Sequence, residues 1–131
     1  TRTVPTPHWP PTGLELRGWS NKIGAELLAE TIPLWVEEKI KAKEQDHSHA
    51  TYAPKIEKSQ GEINFNDDPY KNFLKIQAFA GWPGTFFFVG ESEPKKRVLI
   101  TEASYENNTL VIQKVTPEGK SEMSYTNFLR P

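Results

Sequence analysis

Apolar residues recur at helical spacing near the start of the chain. Thr12 followed by Glu15 has the pattern of a capping box, in which the hydroxyl and the carboxylate satisfy the first free backbone amides of a helix. The spacing then predicts one apolar stripe that contains Leu16, Trp19, Ile23, Leu27 and Leu34. Pro33 is expected to kink this helix or to begin a second segment that reaches about Lys41.

The stripe needs a partner surface, because an amphipathic helix cannot bury its apolar side alone. Residues 1–11 carry four prolines and are predicted to be extended, so they do not supply that surface. The simplest explanation is a sheet encoded upstream. We therefore interpret residues 1–41, a strand end plus a long helix, as the tail end of another domain.

Residues 42–60 are polar and show no sustained periodicity, which indicates a linker. Residues 61–131 then show a mostly β pattern. A helix is expected to begin at Asp67-Asp68-Pro69, and strands are predicted over 62–65, 85–89, 97–105, 109–115 and 122–125. Short strands with Gly and Asn turns favour an α+β fold that is mainly β, a small five-stranded barrel of the OB type with one helix.

Composition adds few constraints. The 131 residues carry a net charge of −1, so the whole chain offers no strong electrostatic attraction for nucleic acid or membrane. The absence of cysteine excludes disulfides and thiolate metal sites, and it fits a reducing cytoplasm. Residues 1–11 have the pattern of neither a signal peptide nor a membrane anchor.

Several motifs resemble one enzyme family in the order in which they occur. The linker sequence Ala50-Thr51-Tyr52-Ala53-Pro54-Lys55-Ile56 resembles the A-T-Y-A-P-K motif of methionyl-tRNA formyltransferases. The stretch from Gly24 to Leu34 is similar to the helix that closes the catalytic domain of that family. The barrel of the family is matched at both ends, by Gln77-Ala78-Phe79 and Trp82-Pro83-Gly84-Thr85 at its opening and by Thr116-Pro117-Glu118-Gly119-Lys120 near its close.

The resemblance implies the C-terminal portion of an enzyme that transfers a formyl group from 10-formyltetrahydrofolate to the amino group of methionyl-initiator tRNA. Residues 1–41 would end the Rossmann-like catalytic domain, residues 42–60 would be the linker, and residues 61–131 would be the OB-like barrel that grips tRNA. The catalytic Asn, His and Asp of the family lie upstream of the matched region. The chain alone is therefore expected to be inactive, to bind neither folate nor metal, and to work with an upstream catalytic domain in a cytoplasmic monomer.

Candidate catalytic and metal-binding side chains are better explained as structural. Asp46, His47 and His49 could ligate a metal, but nothing supplies a fixed further ligand and the segment lies in the linker. The carboxylate pairs Glu37-Glu38 and Asp67-Asp68 suit a polar helix face and a helix start.

The candidate tRNA contacts are basic residues: Lys55, Lys58, Lys95, Lys96 and Arg97. They can neutralise phosphates without recognising sequence, although a solvated hairpin tip is the alternative. From Lys55 to Pro131 there are ten basic and ten acidic residues, so a basic face requires segregation of charge. Trp82 and Phe86-Phe87-Phe88 could stack on bases, but alternation in a strand favours Phe86 and Phe88 on one face, as core, with Phe87 packed on the other.

Two alternatives remain open. The tail of a nucleotide-sugar formyltransferase would share the Trp82-Pro83-Gly84 region, but the A-T-Y-A-P-K motif argues against it. A free-standing RNA- or protein-binding barrel would not be expected to begin with an unpaired apolar helix.

Overall fold

The computed structural model describes residues 1–90 and 94–130. Helix α1 spans Gly13–Val36, and its start confirms the predicted capping box. The backbone N–H of Glu15 donates to Thr12 Oγ1 over 3.2 Å, and the backbone N–H of Thr12 donates to Glu15 Oε2 over 2.8 Å. The hydrogen bonds from Thr12, with a smaller contribution from the nearby His8, lower the pKa of Glu15.

Helix α1 continues past Pro33 but stops at Val36, short of the predicted limit near Lys41. It ends because Glu38 adopts a left-handed conformation with φ of 56°. The N–H of Lys39 donates to Leu34 O (2.9 Å) and that of Glu38 to Trp35 O (3.1 Å), which is the Schellman arrangement. Glycine is the usual residue at the Glu38 position, so this stop could not be predicted from the residue type.

The proline-rich start of the chain lies along α1. Arg2 forms ion pairs with Glu26 and Glu30, and the imidazole ring of His8 meets the Trp19 ring edge-on at 5.6 Å. Trp19, Ile23 and Leu27, which belong to the predicted stripe, are half-buried, whereas Leu16 and Leu34 of the same stripe are exposed. The expectation that residues 1–11 supply no partner surface was therefore wrong in part, because they contact the middle of this side of the helix.

A second apolar side of α1 stays exposed. Leu28, Ile32 and Trp35 lie on the side of the helix opposite Ile23, and all are exposed. No residue of α1 is fully buried. The helix is thus apolar on two sides, and only one of them is covered within the described residues.

Four antiparallel strands form one sheet in the order β1-β2-β3-β4. Their bounds are Thr85–Val89 for β1, Lys96–Glu106 for β2, Thr109–Pro117 for β3 and Met123–Ser124 for β4. The predicted turn between β2 and β3 is confirmed. Asn107 and Asn108 both have positive φ, 49° and 61°, as the two central residues of a tight hairpin require.

The segment predicted as a further strand, residues 62–65, makes only a single bridge. Glu62 pairs with Phe86 in parallel, and the N–H of Ile63 donates to Phe86 O over 2.8 Å. The chain then turns away, because the side chain of Asn64 accepts from the N–H of Asn66 and its carbonyl accepts from that of Asp67. The α+β class is confirmed, while closure into a five-stranded barrel is not.

Helix α2, Pro69–Ala78, covers one face of the sheet. Asp68 is its N-cap and accepts from the N–H of Lys71 over 2.7 Å, which confirms the predicted start. The core beneath it contains Ile63, Ile76, Phe87, Val98, Ile100 and Val115. A short helix that was not predicted, α3 (Tyr125–Phe128), packs two aromatic rings against Phe87.

Helix α1 contacts this unit close to its start. A Cβ on Gly13 would lie 2.3 Å from the carbonyl oxygen of Ala78, so the two helices meet backbone to backbone. Leu14 packs against Gly81 in the turn before β1. Among the described residues, no helix has the length and apolar character needed to cross a bilayer.

Candidate nucleic-acid interface

The β1–β2 hairpin divides the predicted basic run between two faces of the sheet. Arg97 lies opposite Phe88, and Lys96 lies opposite Val89. Because side chains alternate along a strand, Arg97 shares the outer face with Phe88, whereas Lys96 points to the other side. The run Lys95-Lys96-Arg97 is therefore not one patch on one surface.

The outer face brings the end of the linker close to Arg97. The Arg97 guanidinium lies 5.6 Å from the centre of the Phe86 ring, in cation–π geometry. On the linker side, a Cβ on Gly61 would lie 3.4 Å from the same ring. The turn Lys58–Gly61 and the Arg97 side chain thus both border Phe86, which groups two of the predicted regions.

Lys95 and Lys55 lie in different surroundings. Lys95 lines a cleft of about 400 Å³ at the edge of β1. Lys55 is exposed in the linker, and its neighbour Ile56 lines a separate cleft beside Arg17 and Trp82. The structure therefore does not bring Lys55 to the surface around Phe86.

Acidic groups limit the positive potential of this surface. Glu118 accepts from the N–H of Arg97 over 3.5 Å and donates its own N–H to Arg97 O over 2.9 Å. On β2 and β3, a hydrogen bond and the charge of Glu102 raise the pKa of Lys114. Lys114 Nζ forms an ion pair with Glu102 Oε2 at 2.5 Å. The surface is a mixed one, in which a few cations lie beside aromatic rings.

The three consecutive phenylalanines differ in their surroundings. Phe87 points into the core and Phe86 is buried on the outer face, with exposures of 6% and 7%. Phe88 is exposed, so its interpretation as a core residue was wrong, and Trp82 is exposed as well. The alternation was predicted correctly, but the core side belongs to Phe87, because Phe87 is paired with the buried Val98.

Phe65 was missed as a surface aromatic. Its position in an alternating stretch favoured a half-buried strand residue, yet it is exposed beside Lys95. The Asn64-Phe65-Asn66-Asp67 context is typical of a turn and is the one feature of the sequence that could have indicated exposure.

The histidine segment forms a local turn. Asp46 accepts from the N–H and the hydroxyl of Ser48 over 2.9 and 2.6 Å, and these bonds lower the pKa of Asp46. His49 Nδ1 lies 3.3 Å from the same carboxylate. Within residues 1–90 and 94–130, no three side chains of metal-ligand type come together.

Comparison with known sequences identifies the related proteins. A family model described as the formyl transferase C-terminal domain matches residues 55–109. A methionyl-tRNA formyltransferase of Dictyoglomus thermophilum is 32% identical over 82% of this chain and 42% of its own length. One of Rickettsia bellii is 28% identical over 88% of this chain and 43% of its own length. The chain thus spans about two fifths of the length of these curated relatives.

Proposed function

We propose, because this chain matches the C-terminal portion of methionyl-tRNA formyltransferases, that it holds initiator methionyl-tRNA for an upstream catalytic domain. The observation that carries the proposal is the match itself, which extends over more than four fifths of the chain. The whole protein would transfer a formyl group from 10-formyltetrahydrofolate to the methionine amino group in the cytoplasm, during translation initiation. The folate would bind to the upstream domain.

The domain boundaries form part of this proposal. Residues 1–41 would complete the Rossmann-like catalytic domain, residues 42–60 would be the linker, and residues 61–131 would be an OB-like domain. The exposed side of α1 supports the first assignment, because Ile32, Trp35 and Val36 would be covered by an upstream domain. The Glu62–Phe86 bridge supports the third, because it adds a fifth element beside β1.

The tRNA would be gripped through its phosphates by Lys55, Lys58, Lys95, Lys96 and Arg97. Support is strongest for Arg97 and Lys58, since Arg97 and the turn that contains Lys58 border the same Phe86 ring. A planar guanidinium fixed on an aromatic ring is well oriented to bind a phosphate. Lys96 extends from the other face and Lys55 from the linker, so these two would contact a different part of the tRNA.

Titration of labelled initiator tRNA with the 131-residue chain tests the proposal. The change is Arg97→Ala combined with Lys58→Ala, and the matched control is Lys71→Ala, an exposed lysine on α2. We expect roughly three- to tenfold weaker binding for each lost phosphate contact, and a fall of about one per contact in the slope of log affinity against log salt. The control should bind like the unaltered chain.

Equal affinity for the double variant and the control would remove this surface from the tRNA site. Failure of the unaltered chain to bind tRNA at low salt would overturn the proposed role as a whole. Formyl transfer catalysed by the purified 131 residues would contradict the assignment of chemistry to another domain.

A further inference from the structure

Two exposed phenylalanine rings border the cleft that contains Lys95. Phe65 is 51% exposed and Phe88 is 44% exposed. The cleft between them measures about 400 Å³ and lies at the edge of β1, just beyond the bridge between Glu62 and Phe86. Two partly exposed aromatic rings beside one concave surface form an apolar platform that a ligand can cover.

Each exposed ring is held by a buried ring behind it. Phe65 meets Phe87 edge-on, with 5.2 Å between ring centres and 68° between ring planes. Phe88 meets Phe86 in the same way, at 5.4 Å and 78°. Because Phe86 and Phe87 are fixed in the sheet, the exposed rings are oriented before any ligand arrives, and little side-chain entropy is lost on binding.

Polar groups in the cleft match the edge of a heterocyclic base. Asn64 and Asn66 line it together with Glu62 and Lys95, and the bond from the N–H of Asn66 to Asn64 Oδ1 fixes the position of the Asn64 amide. Phe86 O accepts from Ile63 on this edge of β1, so strand alternation directs the main-chain N–H and C=O of Phe88 to the same edge. Such paired donors and acceptors suit the hydrogen-bonding edge of a base.

We propose that this cleft binds one unpaired nucleobase of the RNA, stacked on Phe65 or Phe88, with Lys95 and Arg97 beside its phosphates. The inference rests on the proposed tRNA-binding function and makes it more specific, since it requires a single-stranded segment of the RNA. Aromatic stacking with nearby cations is the usual means of binding single strands. An extended apolar peptide is less well matched, because the polar residues Asn64, Asn66 and Lys95, together with Glu62, line much of the cleft.

The test compares Phe88→Leu and Phe65→Leu with Phe88→Tyr, which keeps a ring, and with Trp35→Leu, which removes an exposed ring on α1. Binding of initiator tRNA, of a short uridylate oligomer and of an RNA duplex is measured by fluorescence anisotropy. Loss of one stacked base is expected to weaken binding of tRNA and oligomer by roughly tenfold or more. Phe88→Tyr and Trp35→Leu should stay within about twofold.

A second readout separates stacking from indirect effects. On addition of the oligomer, the ring proton resonances of Phe65 or Phe88 should shift upfield in NMR spectra of the full chain, because a stacked base adds its ring current. The Arg97→Ala variant should lower affinity without abolishing this shift.

The outcomes distinguish this inference from the proposed function. If Arg97 and Lys58 variants lose tRNA while both Phe→Leu variants keep it, the base-binding cleft is wrong and the phosphate surface stands. If the oligomer shifts the ring resonances but initiator tRNA does not bind, tRNA gripping fails and the cleft stands. Displacement of these resonances by an apolar peptide, with no response to the oligomer, would overturn the cleft as a nucleobase site.

Discussion

Residues 1–36 and the described residues of the range 61–130 differ in how they bury their apolar side chains. Every buried apolar side chain in the described part of the chain lies in the second region, from Ile63 to Val115. Helix α1 has none. The comparison teaches that capping and periodicity are enough to specify a helix, whereas a core requires strands and helices that converge from distant parts of the chain.

The distribution of apolar residues on α1 explains its lack of a core. Trp19 and Ile23 face the N-terminal segment, while Ile32 and Trp35 point the opposite way. A helix that buries one stripe against a single surface would be polar on the other side. The apolar residues of α1 thus lie on two sides, and the described residues contact one of them.

Removal of a core ring should have the largest effect on stability of all the changes considered, because only the sheet unit has a buried core among the described residues. Phe87→Ala is expected to lower the free energy of unfolding of the sheet unit by about 3–5 kcal/mol, because it leaves a cavity between the sheet and α3. Chemical denaturation followed by circular dichroism measures this loss. Ile32→Ala, which truncates an exposed side chain on α1, should change the same quantity by less than about 0.5 kcal/mol.

A large loss for Ile32→Ala would mean that the exposed side of α1 is covered in solution. That result would contradict the conclusion that only the sheet unit buries apolar side chains.

Loss of the N-cap should have an intermediate and local effect. Thr12→Ala removes the acceptor for the N–H of Glu15 and is expected to cost about 1 kcal/mol of α1 stability. Hydrogen exchange should become faster at the first amides of α1 and stay unchanged in β2 and β3. Faster exchange throughout the sheet would show that the two regions unfold together.

Protonation of Glu15 should have the smallest effect on the two regions, and that effect should be confined to the start of α1. The pKa of Glu15 is lowered in the folded chain, so the carboxylate stabilises the helix start above its unfolded pKa. This contribution is lost as the pH falls through the lowered, folded pKa. Protection factors of the first-turn amides, corrected for the intrinsic exchange rate at each pH, should fall at the acidic end.

Glu15→Gln provides the control for this pH dependence, because glutamine can complete a capping box without a charge. A variant that retains the full acid response would exclude Glu15 as its source.

Local signals in the sequence predicted much of the fold. The Thr12 and Asp68 caps, the bounds of β1 and the Asn107-Asn108 turn all depend on chemistry within a few residues. The basic residues of the candidate site were also visible in the sequence, as was the alternation of the three phenylalanines.

Other features depend on contacts that the sequence does not display. Glu38 ends α1 in a conformation that glycine usually adopts, and Asn64 turns the chain after one bridge where alternation favoured a strand. The prediction of the site from the sequence was incomplete for the same reason. Only the fold brings Gly61 and Arg97 to the same Phe86 ring, and only the fold places Phe65 and Phe88 along one cleft.

The contact between Gly13 and Ala78 attaches α1 to the sheet unit near one end of the helix. A helix of 24 residues is about 36 Å long, and its closest contacts with the sheet unit lie at its first turn. A tilt of about 5° at that end displaces the far end by about 3 Å. A side chain at Gly13 would have to push the backbones of α1 and α2 apart, and a small separation there would be magnified at the distal end of α1.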